Sequence, residues 1–283
     1  MVKSFGFLLT GFALVITLAP LACGAAAGSA DDPSSDRGSA RGEKGAHSDR
    51  NARSAPPPSE LDPRGGSENG CPQGMASVQH GSRRGFCVDR YEASLVEVLP
   101  NGEERGWSAY QSVEGHVVRA VSVKKAVPQG YISANQASKA CERSGKRLCK
   151  AAEWKTACRG PSQTIYGYGE EDRPGRCNDH GQSPVARVGY TWKIMNNPNN
   201  NQLPGTLSRT GEHEGCTNGF GVYDMVGNLH EWVADAEGTF QGGFYGDVHQ
   251  HGDGCEYVTT AHVASYHDYS TGFRCCADVM PVH

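Results

Sequence analysis

The chain has no surplus of positive charge. Its 27 Lys and Arg face 31 Asp and Glu, for a net charge of −4 with His neutral. Nothing is available to neutralise a phosphate backbone, so no nucleic-acid partner is expected. No paired C-x-x-C motif of zinc-ribbon type occurs either, which removes the common structural zinc sites. Beyond residue 22 no apolar stretch is long enough to span a bilayer. Hydrophobic residues make up 37% and aromatics 8% of the 283 residues. That supports a real core, but not along the whole length.

What the chain does have begins at its first residues. Lys3 supplies a basic start, and an apolar run from Phe5 to Ala22 follows. This is the pattern of an export signal, here residues 1–23. The run ends in Pro20-Leu21-Ala22-Cys23-Gly24. That ending is similar to a bacterial lipobox, although Pro20 stands where a Leu is usual. Two outcomes stay open: lipid attachment at Cys23, or ordinary cleavage near Ala22 or shortly after Gly24 with release. Residues 24–70 are Gly, Ser, Ala, Asp, Arg and Pro, with Pro56-Pro57-Pro58. Such a segment cannot offset its ordering entropy and reads as a disordered tether. Export and the tether place residues 71–283 outside the cytoplasm, either at a bacterial cell envelope as a lipoprotein or secreted. The lipid anchor is then the only membrane contact.

The chain carries 11 cysteines, ten of them at or after Cys71. An even set in an exported domain reads as up to five disulfides. Cys71 and Cys87 would close a β-hairpin, unless they pair elsewhere. A helix is expected from about Ser133, with Gln136 completing a capping box. Its small face is Ala134, Ala137, Ala140 and Cys141, and Gly145 stops it. A second helix covers about Ala151 to Cys158, with Trp154 facing the core. After that, Gly and Pro are frequent and strands should be short.

Four ordered blocks then carry a specific resemblance. The first runs from Ala140-Cys141-Glu142-Arg143-Ser144-Gly145-Lys146-Arg147-Leu148 through Ala152-Glu153-Trp154 to Cys158-Arg159-Gly160. The second, Asn218-Gly219-Phe220-Gly221-Val222-Tyr223-Asp224-Met225-Val226-Gly227-Asn228-Leu229-His230-Glu231-Trp232, is long. Gly242-Gly243 and Gly272-Phe273-Arg274-Cys275 complete the order. Together they resemble the formylglycine-generating enzyme, or sulfatase-modifying factor, family over roughly residues 71–278. The long block is similar to the family's N-x-F-G-L-Y-D-M-x-G-N-V-W-E-W signature. The resemblance implies a complex α+β fold of C-type-lectin-like topology with little regular secondary structure.

The resemblance also implies a calcium site: side-chain oxygens from Asp224 and Glu231, and carbonyls from Gly227 and Leu229. Oxygen donors of this kind suit a hard cation; the alternative is a turn in which both carboxylates only cap backbone amides. A second calcium site would begin near Asn178 and Asp179. Its other half falls in the rebuilt stretch from Trp192 to Glu214, where the Asn196–Asn201 run reads as a solvated loop. Family pairing would join Cys141 with Cys275 and Cys158 with Cys255. Cys149 with Cys276 and Cys177 with Cys216 remain, a pairing that sequence alone does not fix.

Active members of the family resemble copper oxidases. A C-x-x-x-x-C pair after the double glycine binds Cu(I) through soft thiolates. This chain reads Gly242-Gly243-Phe244-Tyr245-Gly246-Asp247-Val248-His249-Gln250-His251-Gly252-Asp253-Gly254-Cys255. It has one cysteine where the family needs more, at the position of the structural one. Asp247, His249, His251 and Cys255 are the candidate catalytic residues. His249 and His251 would share one face of a strand, with His262 and His267 following. A solvated loop is the competing reading. Tyr190-Thr191-Trp192 and Tyr266-His267-Asp268-Tyr269 either line a groove or pack against the rebuilt loop. Two functions compete. One is a calcium-stabilised binding module for an extracytoplasmic protein or glycan. The other is an oxidoreductase using copper or iron.

Overall fold

The computed structural model describes residues 70–280, apart from 80, 82–84 and 261. The expected signal segment, Cys23 and nearly all of the 24–70 tether lie outside the described residues.

Among the described residues, eleven short strands occur in chain order: β1 (Met75–Val78), β2 (Phe86–Asp89), β3 (Ser94–Val98), β4 (Glu104–Gly106), β5 (Val118–Val121), β6 (Arg147–Leu148), β7 (His230–Trp232), β8 (Phe240–Gln241), β9 (Val258–Thr259), β10 (Thr271–Phe273) and β11 (Cys275–Asp278). The helices are α1 (Ala134–Glu142), α2 (Ala151–Arg159) and the single-turn α3 (Trp192–Met195). The strands form three small sheets, ordered β1-β2-β11-β6, β10-β7-β8-β9 and β4-β3-β5. This is an α+β fold with little regular secondary structure, as the resemblance implied.

The helices start where local chemistry dictates. Ser133 caps α1: its Oγ accepts from the Gln136 N–H at 3.3 Å, and the Gln136 side chain accepts from the Ser133 N–H at 3.0 Å. Two orphan donors of the first turn are thereby satisfied. Ala134, Ala137, Ala140 and Cys141 are all buried, and α1 packs against β5, β6 and β10. At the start of α2, Glu153 accepts from the Lys150 N–H and from both terminal nitrogens of Arg147. Trp154, one turn in, is fully buried.

Five disulfides join the described cysteines: Cys71–Cys87, Cys141–Cys275, Cys149–Cys276, Cys158–Cys255 and Cys177–Cys216. Cys71 lies just ahead of β1 and Cys87 lies in β2, so the first bridge does close a hairpin. Cys275 and Cys276 are neighbours on β11. Successive strand residues point to opposite faces, so their bridges leave on opposite sides. Cys275 and Cys141 belong to one hydrophobic cluster with Phe273 and Trp232. Cys276 and Cys149 belong to another with Trp154 and Val226. One strand thus separates two cores and is bridged into both.

The Asn196–Asn201 stretch is not the uniformly solvated loop expected. Asn200 and Asn201 are buried. Asn201 donates to the Tyr269 carbonyl at 2.6 Å and accepts from the Tyr245 hydroxyl at 3.0 Å. The run contains its own hydrogen-bonding side chains, and these replace water as partners for backbone polar groups.

Candidate functional site

The long block folds into a tight turn leading to β7. Asp224 and Asn228 sit at φ +57° and +59°, and Gly227 at +76°. Such angles are uncommon for residues other than glycine. At Gly227 a Cβ would stand 2.2 Å from the Asn178 carbonyl oxygen. Asn228 donates its backbone N–H to that same oxygen at 2.8 Å. The strained turn is therefore pressed directly against the Asn178–Asp179 segment.

Three carboxylates are buried around this turn. Asp224 is 4% exposed, Glu231 1% and Glu92 0%. One guanidinium answers them. Arg274, fully buried, donates through Nε and Nη2 to the two Glu231 oxygens, each at 2.6 Å. The Trp154 indole N–H also donates to Glu231, at 2.6 Å. Asp224 accepts the Gly211 N–H at 2.6 Å. Glu92 accepts the Leu229 N–H and the Asn228 side-chain amide.

Three formal negative charges thus meet one positive charge in a dry interior. Burial pushes the Asp224 carboxyl up to about 7, although Gly211 and Arg274 pull it down. Glu92 is pushed well above the usual range, first by burial and then by Asp224 and Glu231. Glu92 was not legible as a site residue, because it stands far upstream of the motif. Asp179 adds an orphan: its Oδ2 is buried without a hydrogen-bond partner. Its Oδ1 takes the Gly175 N–H and the His180 ring.

A cleft of about 640 Å³ opens beside β7. His230, the first residue of β7, is 5% exposed and lines it. Rings continue from it on both sides. The His230 centroid lies 4.4 Å from Phe240, 5.0 Å from Phe244 and 5.4 Å from Tyr257. Phe240 stacks on His262, which stacks on Tyr266 at 3.9 Å. Burial pushes His230 down to about 3, so its imidazole is neutral, and burial lowers His262 as well. The His230 Nδ1 is buried with no hydrogen-bond partner.

Two carboxylates face the same cleft. Asp247 accepts the His249 and Gln250 N–H groups and the Tyr257 hydroxyl, each at 3.0 Å. Burial raises its carboxyl, but these donors outweigh it and hold Asp247 below the ordinary range. Asp268 accepts from the Tyr266 hydroxyl and from Ser270.

Comparison with known proteins follows this geometry. The sulfatase-modifying factor enzyme 1-like domain model matches residues 60–279. The chain belongs to this family. Formylglycine-generating enzymes are among its relatives. That of Thermomonospora curvata is 34% identical over 113 residues, covering 38% of this chain and 33% of the relative. That of Mus musculus is 30% identical over 179 residues, covering 54% and 45%. The chain spans less than half the length of these curated relatives. PvdO from Pseudomonas aeruginosa is a solved structure with similarity at TM-score 0.42 and 18% identity, covering 72% of this chain and 91% of that one.

Against the pattern of the sulfatase-modifying factor family, the candidate catalytic residues part company. Cys255 is bound to Cys158 and offers no thiolate. Every cysteine among the described residues is in a disulfide. His249 and His251 do not share a strand face, because residues 247–253 form turns, bends and isolated bridges and no strand. His249 is held by Asp253 and Asp172, which raise its pKa. His251 packs edge-on against Tyr257 and lines the cleft. Only Asp247 and His251 of the four reach the cleft. His267 turns to Asn196 and Trp192, whereas Tyr190, Tyr266, Asp268 and Tyr269 do line the groove.

His230 is the site residue that sequence reasoning passed over. The signal was present: the family signature has Trp at this place in W-E-W, and this chain has His230-Glu231-Trp232. Among the described residues, no three of His, Cys, Asp and Glu are grouped to hold a metal ion. In the carboxylate cluster, the two Glu231 oxygens are turned to Arg274 and Trp154.

Proposed function

We propose that this chain is an exported, calcium-stabilised binding module of the sulfatase-modifying factor family, which receives an extracytoplasmic protein or glycan in the cleft beside β7. The observation that carries the reading is the state of the cysteines. All ten described cysteines are spent in five disulfides, so the soft thiolate pair that Cu(I) oxidation chemistry needs has no counterpart among the described residues. The cleft volume of about 640 Å³ falls within the usual range for small-ligand sites.

The turn offers calcium hard oxygen donors and surplus negative charge, and binding would require Glu231 to release a contact to Arg274 or Trp154. Asp224, Glu231 and the carbonyls of Gly227 and Leu229 are hard oxygen donors, and Glu92 adds a third buried carboxylate. A bound divalent cation supplies the positive charge that Arg274 alone does not. Asn178 and Asp179, with the orphan Asp179 Oδ2, are proposed for a second calcium.

The test is direct. The purified, oxidised chain is loaded with copper and incubated with a cysteine peptide, and the peptide is analysed by mass spectrometry. No conversion of cysteine to the aldehyde is expected, and denatured protein should titrate no thiol among residues 71–280. Aldehyde formation would overturn the reading. The competing oxidoreductase draws on His230, His251, His262 and Asp247 lining one cleft. Stoichiometric copper or iron in the purified protein would favour it.

A further inference from the structure

The cleft has a chemical preference that its role as a binding site does not by itself imply. Its lining includes two carboxylates, Asp247 and Asp268, and one basic side chain, Arg187. Neither carboxylate forms an ion pair with Lys or Arg among the described residues. Both are served by neutral donors: backbone N–H groups and the hydroxyls of Tyr257, Tyr266 and Ser270. Neutral donors stabilise the anion without cancelling its charge. Arg187 is exposed, at the mouth of the cleft.

The walls of the cleft are aromatic, with rings packed on one another in sequence from Tyr266 through His262, Phe240 and His230 to Tyr257. An aromatic wall suits the apolar stem of a ligand. The buried Nδ1 of His230 has no hydrogen-bond partner. An ammonium group brings three donors and no acceptor. An anionic ligand would meet two uncompensated carboxylates.

We propose that the cleft binds a protonated amine on an apolar stem, with the ammonium at Asp247 beside the Tyr257 and His230 rings and the stem along the aromatic wall. This inference rests on the reading of the cleft as a binding site. The same chemistry comes from a lysine side chain of a partner or from a free diamine.

The experiment is calorimetric titration of the full oxidised chain in calcium buffer. The probes are Nα-acetyl-lysine amide, its uncharged isostere Nα-acetyl-norleucine amide, Nα-acetyl-glutamate amide and 1,5-diaminopentane. The lysine probe is expected to bind at least tenfold more tightly than the norleucine probe, and the glutamate probe not at all. Preference for the lysine probe over diaminopentane assigns the amine to a protein partner, and the reverse order assigns it to a free amine. Asp247→Asn should weaken amine binding at least tenfold. Arg187→Ala removes an exposed charge with no fold to support, and should tighten amine binding severalfold. Equal binding of the lysine and norleucine probes overturns the cation preference while leaving the binding-module reading intact. So does failure of every probe, or an unchanged affinity in Arg187→Ala. Conversion of a cysteine peptide to the aldehyde, by contrast, strikes at the binding-module reading itself.

Discussion

The buried carboxylates make stability depend on pH in a direction opposite to that of ordinary salt-bridged acids. Asp224 titrates at 3.8 in its unperturbed state and is pushed up to about 7 by burial. The folded state therefore holds a proton that the unfolded chain releases. Stability from this group is complete below about pH 4 and is lost as pH rises towards 7 and through it. At about 1.4 kcal/mol per unit, Asp224 alone costs about 4 kcal/mol across that window. For a domain of this size each kcal/mol moves Tm by about 2–4 °C, so the loss corresponds to roughly 10 °C. Glu92 titrates in the same direction and adds to it. Calcium at the turn favours the anionic carboxylates and reverses this slope. At a hundredfold excess over Kd it also adds about 2.7 kcal/mol. The assay is thermal unfolding followed by circular dichroism from pH 5 to pH 8, with chelator or with millimolar calcium. In chelator Tm should fall with pH; with calcium it should stay level or rise. Parallel curves under the two conditions would remove calcium from Asp224 and Glu231. A flat curve in chelator would refute the raised carboxyls.

Arg274→Met should cost about 3–5 kcal/mol, because it leaves Glu231 buried without its countercharge; chemical denaturation at pH 7 measures it, and mildly acidic pH should recover part of the loss. Ser133→Ala removes the α1 cap and should cost about 1 kcal/mol without altering the disulfides, again by chemical denaturation. Replacing Cys149 and Cys276 together by Ala should cost about 2–5 kcal/mol, read as a lowered Tm. His249→Ala removes ring contacts to the exposed Asp253 and the half-buried Asp172 and should change stability by no more than about 0.5 kcal/mol.

The elements that sequence made visible are those set by local rules or by contiguous motifs. Ser133 and Gln136 announce α1 because a capping box lies within one turn. Asp224 to Trp232 announces the strained turn because the pattern is continuous. Glu92 was invisible because nothing near it in the chain marks it; it joins the cluster only when the Ala93 strand region is brought against Leu229. The cleft was only partly legible for the same reason. Its outer wall comes from residues 182–195 and 266–270, which carry no periodic pattern and are placed by contacts such as Ser183 with Tyr269. His249 and His251 misled because alternation was read as a strand where glycines at 252 and 254 impose positive φ.

The bridges leaving opposite faces of β11 also decide what a protease can accomplish. Considered as a graph of covalent links, Cys141–Cys275 and Cys149–Cys276 enclose most of the domain. A single nick anywhere between Cys141 and Cys275 leaves both pieces attached to each other. Between Cys87 and Cys141 no bridge crosses the break. A cut there leaves the first hairpin held only by non-covalent contacts, chiefly the pairing of β2 with β11 and the bonds of Asp89 to Lys146, Arg274 and Cys275. The stretch between Cys87 and Cys141, which carries β3, β4, β5 and most of α1, is thus where a single cleavage separates the first hairpin from the rest of the described domain.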